Sequence, residues 1–231
     1  MKIYVVKILD ISESELNNLT RYIDAEKKYK INKFINKKDK IRSLISEILI
    51  RNIIFENLNI NSRDIIFEKN VQGKPYLKGY SNFNFNLSHS GDFVVCAIDN
   101  KPIGIDIEKI ESIDHKGIAQ SFFSKDECDF ILKGDLQAQI DKFYEIWTLK
   151  ESYIKADGRG LTIPLKSFSI NIDEYENIEL ITKNELKKCN FKKFNIESEY
   201  KMAVCSLNKG IPNNIITINQ KCLIDSYLKD I

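Results

Sequence analysis

Between residues 103 and 108 the chain alternates strictly, with Ile103, Ile105 and Ile107 separated by Gly104, Asp106 and Glu108. A period of two predicts a strand with one buried face. The same alternation sets Phe83, Phe85 and Leu87 against Asn84, Asn86 and Ser88. It runs into Ser88-His89-Ser90-Gly91 and the apolar run Phe93–Ile98. That order predicts a β-hairpin with a polar, glycine-containing tip. Residues 2–9 read as a further strand, and Ile65-Ile66-Phe67 as a short one. Gly73-Lys74-Pro75-Tyr76 has the composition of a turn.

Elsewhere the apolar positions follow helical spacing. Ser12 is placed to cap a helix, and residues 15–36 carry Leu16, Leu19, Tyr22, Ile23, Ile31, Phe34 and Ile35. A second helix is expected from Asp39, with Ile41, Leu44, Ile45, Ile48, Leu49 and Ile53 facing a core. Residues 117–123 are apolar and partly helical by pattern. Ser124-Lys125-Asp126-Glu127 is a capping box, and residues 134–139 form a polar connection. Residues 143–155 form a helix that ends before Gly158 and Gly160, with Trp147, Glu151 and Lys155 on one face.

The chain echoes itself. Phe85-Asn86-Leu87 recurs as Phe194-Asn195-Ile196, and Val95-Cys96-Ala97-Ile98 as Val204-Cys205-Ser206-Leu207, with the same gap between the blocks. Two related halves follow, residues 1–102 and 103–231, each of strands and helices closed by a hairpin. The strand at 103–108 opens the second half, so its acidic pair lies near a seam, where clefts are common.

Composition narrows the class. With 43% hydrophobic and 29% charged residues, the chain has the make-up of an ordinary globular protein. A net charge of +2 argues against a dedicated nucleic-acid binder. The N-terminal apolar run is interrupted by Lys7 and lacks a signal-peptide core, and no apolar run is long enough to span a bilayer. The five cysteines form no CxxC pair and read as reduced thiols of a cytoplasmic protein. The two histidines lack zinc-ligand spacing.

The chemistry gathers at three places. Asp106 and Glu108 lie roughly 6.6 Å apart along one strand face. Two like charges there are either solvated or balanced by a divalent cation on oxygen ligands. Glu151 and Lys155 form either an exposed ion pair or part of that same site. A basic series including Lys27, Lys30, Lys33, Lys37, Lys38 and Lys40, with Arg42 and Ser43, forms either a solvated face or the rim of an anionic ligand. Ser88 beside His89 is a poor hydrolase signal, because no GxSxG elbow accompanies it. A nucleotide-binding module without catalysis and a silent scaffold are the competing readings.

Four blocks in series carry a resemblance: Gly73-Lys74-Pro75, Asn86-Leu87-Ser88-His89-Ser90-Gly91, Gly104-Ile105-Asp106-Ile107-Glu108 and Trp147-Thr148-Leu149-Lys150-Glu151-Ser152-Tyr153-Ile154-Lys155. In order and spacing the chain resembles the 4′-phosphopantetheinyl transferases of the long, surfactin-synthetase-activating (Sfp-type) subfamily, most weakly after about residue 175. The resemblance implies an α+β fold of two similar halves related by pseudo-twofold symmetry, each a small, mostly antiparallel sheet on helices, with the active site between them. It implies coenzyme A on the N-terminal half and Mg²⁺, or Mn²⁺, on the C-terminal half. Asp106, Glu108 and Glu151 would ligate the metal, with Glu127 near it through water. Lys27, Lys30, Arg42, Ser43, Lys74, Ser88, His89 and Lys155 would contact coenzyme A. Glu151, directly or through a water, would take the proton of the acceptor serine, and Lys155 would protonate the leaving phosphate. Ile118, Phe122 and Phe123 would dock an apo carrier protein against a monomeric enzyme.

Overall fold

The computed structural model describes residues 1–230. Its first strand is β1 (Lys2–Lys7), followed by α1 (Glu13–Leu19), whose cap Ser12 accepts the Glu15 N–H. The helical stretch expected over 15–36 is broken. A 3-10 turn at Thr20–Tyr22 and an extended Ile23 precede α2 (Ala25–Lys33). Asp24 causes the break, because its carboxylate accepts the Lys27 N–H and starts a new helix. Helix α3 (Lys37–Leu58) begins two residues before Asp39, capped by Asn36, and stops where Asn59 turns left-handed at φ 55°. Next come β2 (Phe67–Lys69) and β3 (Pro75–Leu77), a small hairpin, then β4 (Asn84–Ser90) and β5 (Phe93–Asp99). Ser88, His89 and Ser90 are not the hairpin tip. They belong to β4, and the turn is only Gly91-Asp92.

The second half opens with β6 (Ile103–Lys109), α4 (His115–Phe122) and α5 (Lys125–Ile131), the last with both bonds of its capping box formed. Helix α6 (Leu136–Asp157) starts inside the expected polar connection because Asp135 caps it. The remainder is β7 (Phe168–Ile172), β8 (Ile178–Thr182), β9 (Asn190–Phe194), β10 (Tyr200–Ser206), β11 (Ile216–Ile218) and α7 (Gln220–Asp230).

The two halves repeat one plan. One sheet runs β11-β1-β5-β4 and the other β6-β10-β9. In each, the echoed strand sits between its hairpin partner and the strand that opens the half. Cys96 pairs with Tyr4, and Cys205 with Gly104. Each half carries one 22-residue helix, α3 or α6. The C-terminal tail crosses back: β11 pairs parallel with β1, and Leu223, Ile224 and Tyr227 of α7 join the core of α3. A division at 102/103 therefore leaves this tail on the N-terminal sheet.

The isoleucine stripe behaves as its period requires. Ile103, Ile105 and Ile107 are fully buried between the sheets against Ile3, Val5, Val95 and Val204. Each contributes about 1.5–3 kcal/mol by leaving water. The opposite face of β6 meets α6. There a Cβ at 104 would lie 2.0 Å from the Ser152 carbonyl oxygen and 2.5 Å from the Ala156 nitrogen. The glycine lets the helix backbone lie directly on the strand. Tyr4 holds the register-equivalent position in the first half.

Candidate active site

Two edge strands from different sheets, β4 and β6, are joined by side chains rather than by a backbone ladder. The polar face of β4 supplies the acceptors. Asn86 Oδ1 accepts the Ile105 N–H at 2.8 Å, Ser88 Oγ the Ile107 N–H at 3.4 Å, and Ser90 Oγ the Lys109 N–H at 3.0 Å. Period two on one strand meets period two on the other. The same hydroxyls donate to the acidic pair, Ser88 to Asp106 Oδ1 and Ser90 to Glu108 Oε2, both at 2.9 Å. Seam and carboxylates are thus fixed by one set of hydrogen bonds.

Helix α6 closes the site from the other side. Trp147, Glu151 and Lys155 line one cavity of about 580 Å³ together with Ser88, His89, Asp106 and Glu108. The Lys155 ammonium lies 2.6 Å from Asp106 Oδ1, 2.9 Å from Ser88 Oγ and 3.3 Å from the Ile105 carbonyl. Lys74, expected to contact coenzyme A, reaches the end of this helix. Its ammonium donates to the carbonyls of Lys155 at 2.5 Å and Ile103 at 3.2 Å, while Asn70 donates to the Gly158 carbonyl. The contacts to Lys155 and Gly158 satisfy carbonyls that the end of α6 leaves free, and the contact to Ile103 ties the lysine to β6.

The cleft is electrostatically unbalanced. Asp106, Glu108 and Glu151 face the paired Lys155 ammonium, with Lys27 at the rim. Burial pushes Asp106 above the usual carboxylate range, against the pull of Lys155. Burial and the Asp106 charge push Glu108 up to about 7 and raise Glu151 as well. Asp106 Oδ2 is buried without a hydrogen-bond partner among the described residues. An all-oxygen acidic set with an unused buried oxygen fits a hard divalent cation. As the side chains lie, no three such groups among the described residues converge on a common ion position, and Lys155 occupies one Asp106 oxygen.

The basic rim comes from the N-terminal half. Lys27 and Ser43 line the acidic cavity. Lys27 also lines a neighbouring cavity of about 450 Å³ with Lys30, Arg51, Phe67 and Pro75. Arg42 donates to the Gly91 carbonyl at 2.7 Å and pairs with Asp39, and its Nε is buried and unpartnered among the described residues. Burial and the Arg42 charge lower the His89 pKa.

Two expected site residues are elsewhere. Glu127 does not face the cleft. Both its oxygens bind Lys150, at 2.6 and 2.9 Å, and it also accepts the N–H groups of Ser124 and Ile170. Both side chains of this pair are fully buried, so Glu127 locks α5, α6 and β7 together. Phe123 is 2% exposed and stacks on Phe143, whereas Phe122 is 50% exposed. Sequence reasoning passed over Asn86 and Ser90 as site supports, although the alternation through Asn86 and Ser88 leads to Ser90. It also passed over Ser46, which lines the cavity and donates to the Arg42 carbonyl.

The cleft thus sets three carboxylates beside a basic rim. Comparison with known proteins identifies the family. The family described as 4′-phosphopantetheinyl transferase superfamily matches residues 102–205, and 4′-phosphopantetheinyl transferase, N-terminal, matches residues 10–101. The 4′-phosphopantetheinyl transferase ffp of Bacillus subtilis is 38% identical over 97% of this chain and 100% of its own length. Sfp of Bacillus subtilis strain 168 is 36% identical over the same shares. The crystal structure of holo-[acyl-carrier-protein] synthase from Neisseria meningitidis superposes with a TM-score of 0.40 at 16% identity, over 47% of this chain and 98% of that one. The chain belongs to the 4′-phosphopantetheinyl transferase superfamily, and within it to the Sfp-type enzymes that match it almost from end to end. It is an enzyme that transfers phosphopantetheine to carrier proteins.

Proposed function

We propose that this cleft performs the transfer with Mg²⁺ held by Asp106, Glu108 and Glu151, Mn²⁺ being an alternative ion for the same oxygen donors. The observation that carries the reading is the meeting of Asp106 and Glu108 from β6 with Glu151 and Lys155 from α6 in one cavity. The metal, when bound, supplies charge neutralisation for the pyrophosphate of coenzyme A. The rest is done by the chain. Lys27, Lys30, Arg42, Ser43, Ser88 and His89 hold the phosphates and nucleoside of coenzyme A on the N-terminal half. Lys74 acts through α6.

The acceptor serine oxygen attacks the β-phosphorus. The bond to the bridging oxygen breaks, and adenosine 3′,5′-bisphosphate leaves. Glu151, directly or through a water, accepts the serine proton. Lys155, aligned by Asp106 and Ser88, donates a proton to the departing phosphate. His89 donates a hydrogen bond to the same anion.

The carrier protein docks beside α4, where Phe122 and Ile118 are the apolar contacts and Trp147 connects that wall to the cleft. The enzyme acts as a monomer in the cytoplasm. Among the described residues no helix is long and apolar enough to cross a membrane. The test is incubation with coenzyme A and an apo carrier domain, with Mg²⁺ or with chelator, read by mass spectrometry. A phosphopantetheine adduct that forms only with the metal supports the reading. An adduct that forms equally with chelator overturns the metal assignment.

A further inference from the structure

Arg51 and Glu47 form a buried ion pair one helical turn apart on α3, and the reaction described above uses neither. Both residues are nearly inaccessible, at 5% and 7% exposure. Arg51 Nε donates to Glu47 Oε1 at 2.7 Å, and its guanidinium also donates to the Ser62 carbonyl at 2.7 Å and lies over the Phe67 ring. Such a pair fixes each partner's orientation, because neither ion can leave without stranding the other.

The pair has a third member. The second Glu47 oxygen lies 3.9 Å from the Lys27 ammonium. That distance is too long for a hydrogen bond but well within Coulombic reach. Lys27 is held at its other end as well. Asp24 accepts its backbone N–H at 2.8 Å, and the same carboxylate lies 3.5 Å from Arg51. Arg51 therefore bridges two acids, one fixing the backbone of Lys27 and the other its charge. The neighbouring lysine differs, since the Lys30 ammonium is bound directly by Glu26 at 2.6 Å.

We infer that Glu47 is a positioning residue for coenzyme A: it holds the Lys27 ammonium at the junction of the two cavities while leaving its N–H donors free for a phosphate. The inference rests on the reading of Lys27 as a coenzyme A contact. Burial pulls the Lys27 pKa down and Glu47 opposes that pull, consistent with a charge maintained for use. Neutralising Glu47 removes the carboxylate that faces the Lys27 ammonium and leaves Asp24 alone to offset Arg51, so the ammonium swings toward solvent.

The test is calorimetric binding of coenzyme A to the full chain carrying Glu47→Gln, Lys27→Ala or both, with thermal melts to select folded protein. Glu47→Asp, which keeps a negative charge beside Arg51 at a shorter reach, is the second variant should Glu47→Gln fold poorly. The expected loss of affinity for Glu47→Gln is roughly three- to thirty-fold, the size of couplings within one charge network. Adding Lys27→Ala to Glu47→Gln should change little beyond Lys27→Ala alone. The KM for coenzyme A should rise while kcat and the carrier KM hold, a split that a merely structural defect would not give. If Lys27→Ala weakens binding and neither Glu47 variant does, the positioning role is overturned and the Lys27 contact stands. If Lys27→Ala itself binds like the parent, the contact fails and takes the inference with it.

Discussion

A side chain at residue 104 would set its Cβ 2.0 Å from the Ser152 carbonyl oxygen. That oxygen belongs to the backbone of α6, one residue after Glu151 and three before Lys155. The close approach of helix to strand is therefore what places Glu151 and Lys155 over Asp106. Gly104→Ala should push α6 off β6, costing about 1–3 kcal/mol or more, as overpacking does. At roughly 2–4 °C per kcal/mol for a chain of this size, differential scanning fluorimetry should show a drop of several degrees. The protein that remains folded should transfer far more slowly than the parent. An Ala variant with parental melting and turnover would mean that the contact is not needed.

The Glu127–Lys150 pair makes a second prediction. Breaking a fully buried pair strands a charge, so Glu127→Gln should cost about 3–5 kcal/mol. Adding Lys150→Met should restore much of that loss, since the stranded ammonium is then gone. Metal affinity of the folded double variant should match the parent. A large loss of affinity there would return Glu127 to the metal site.

Ser90 reaches Glu108 with its proton and Lys109 with its lone pair. Ser90→Ala should free the Glu108 carboxylate to rotate. Supports of this kind commonly change metal affinity by about 10–100-fold when removed. Calorimetric Mg²⁺ titration should show a loss in this range, and Ser90→Thr should recover most of it. Unchanged affinity in the alanine variant would limit Ser90 to the seam.

Phe122 is half exposed on α4, while its neighbour Phe123 is packed on Phe143 and Trp147. Phe122→Glu should raise KM for the carrier without altering coenzyme A binding. The same change at Phe123 should unfold the region. Loss of coenzyme A binding in the Phe122 variant would count against docking at this surface.

Period and caps made much of this molecule legible in the sequence. The strand at 103–108, its buried isoleucine face and the shared face of Trp147, Glu151 and Lys155 all follow from spacing, and the echo foretold the repeated strand order. Long-range partnership is what spacing does not show. Glu127 looked available because its local role, the capping box, was visible while its distant partner Lys150 was not. Lys74 looked like a ligand contact because a loop lysine shows no sign of the helix end it caps. Both contacts concern what packs against a residue, which local periodicity does not encode.

The most direct test returns to Asp106, which aligns Lys155 through one oxygen and has the other buried and unpartnered among the described residues. Asp106→Ala and the parent protein are incubated with coenzyme A, Mg²⁺ and an apo carrier domain, and the carrier is read by mass spectrometry. The parent should convert the carrier to its phosphopantetheine adduct, and the folded variant should leave it unmodified. Conversion by Asp106→Ala at the parental rate would contradict the assignment of this cleft as the site of transfer.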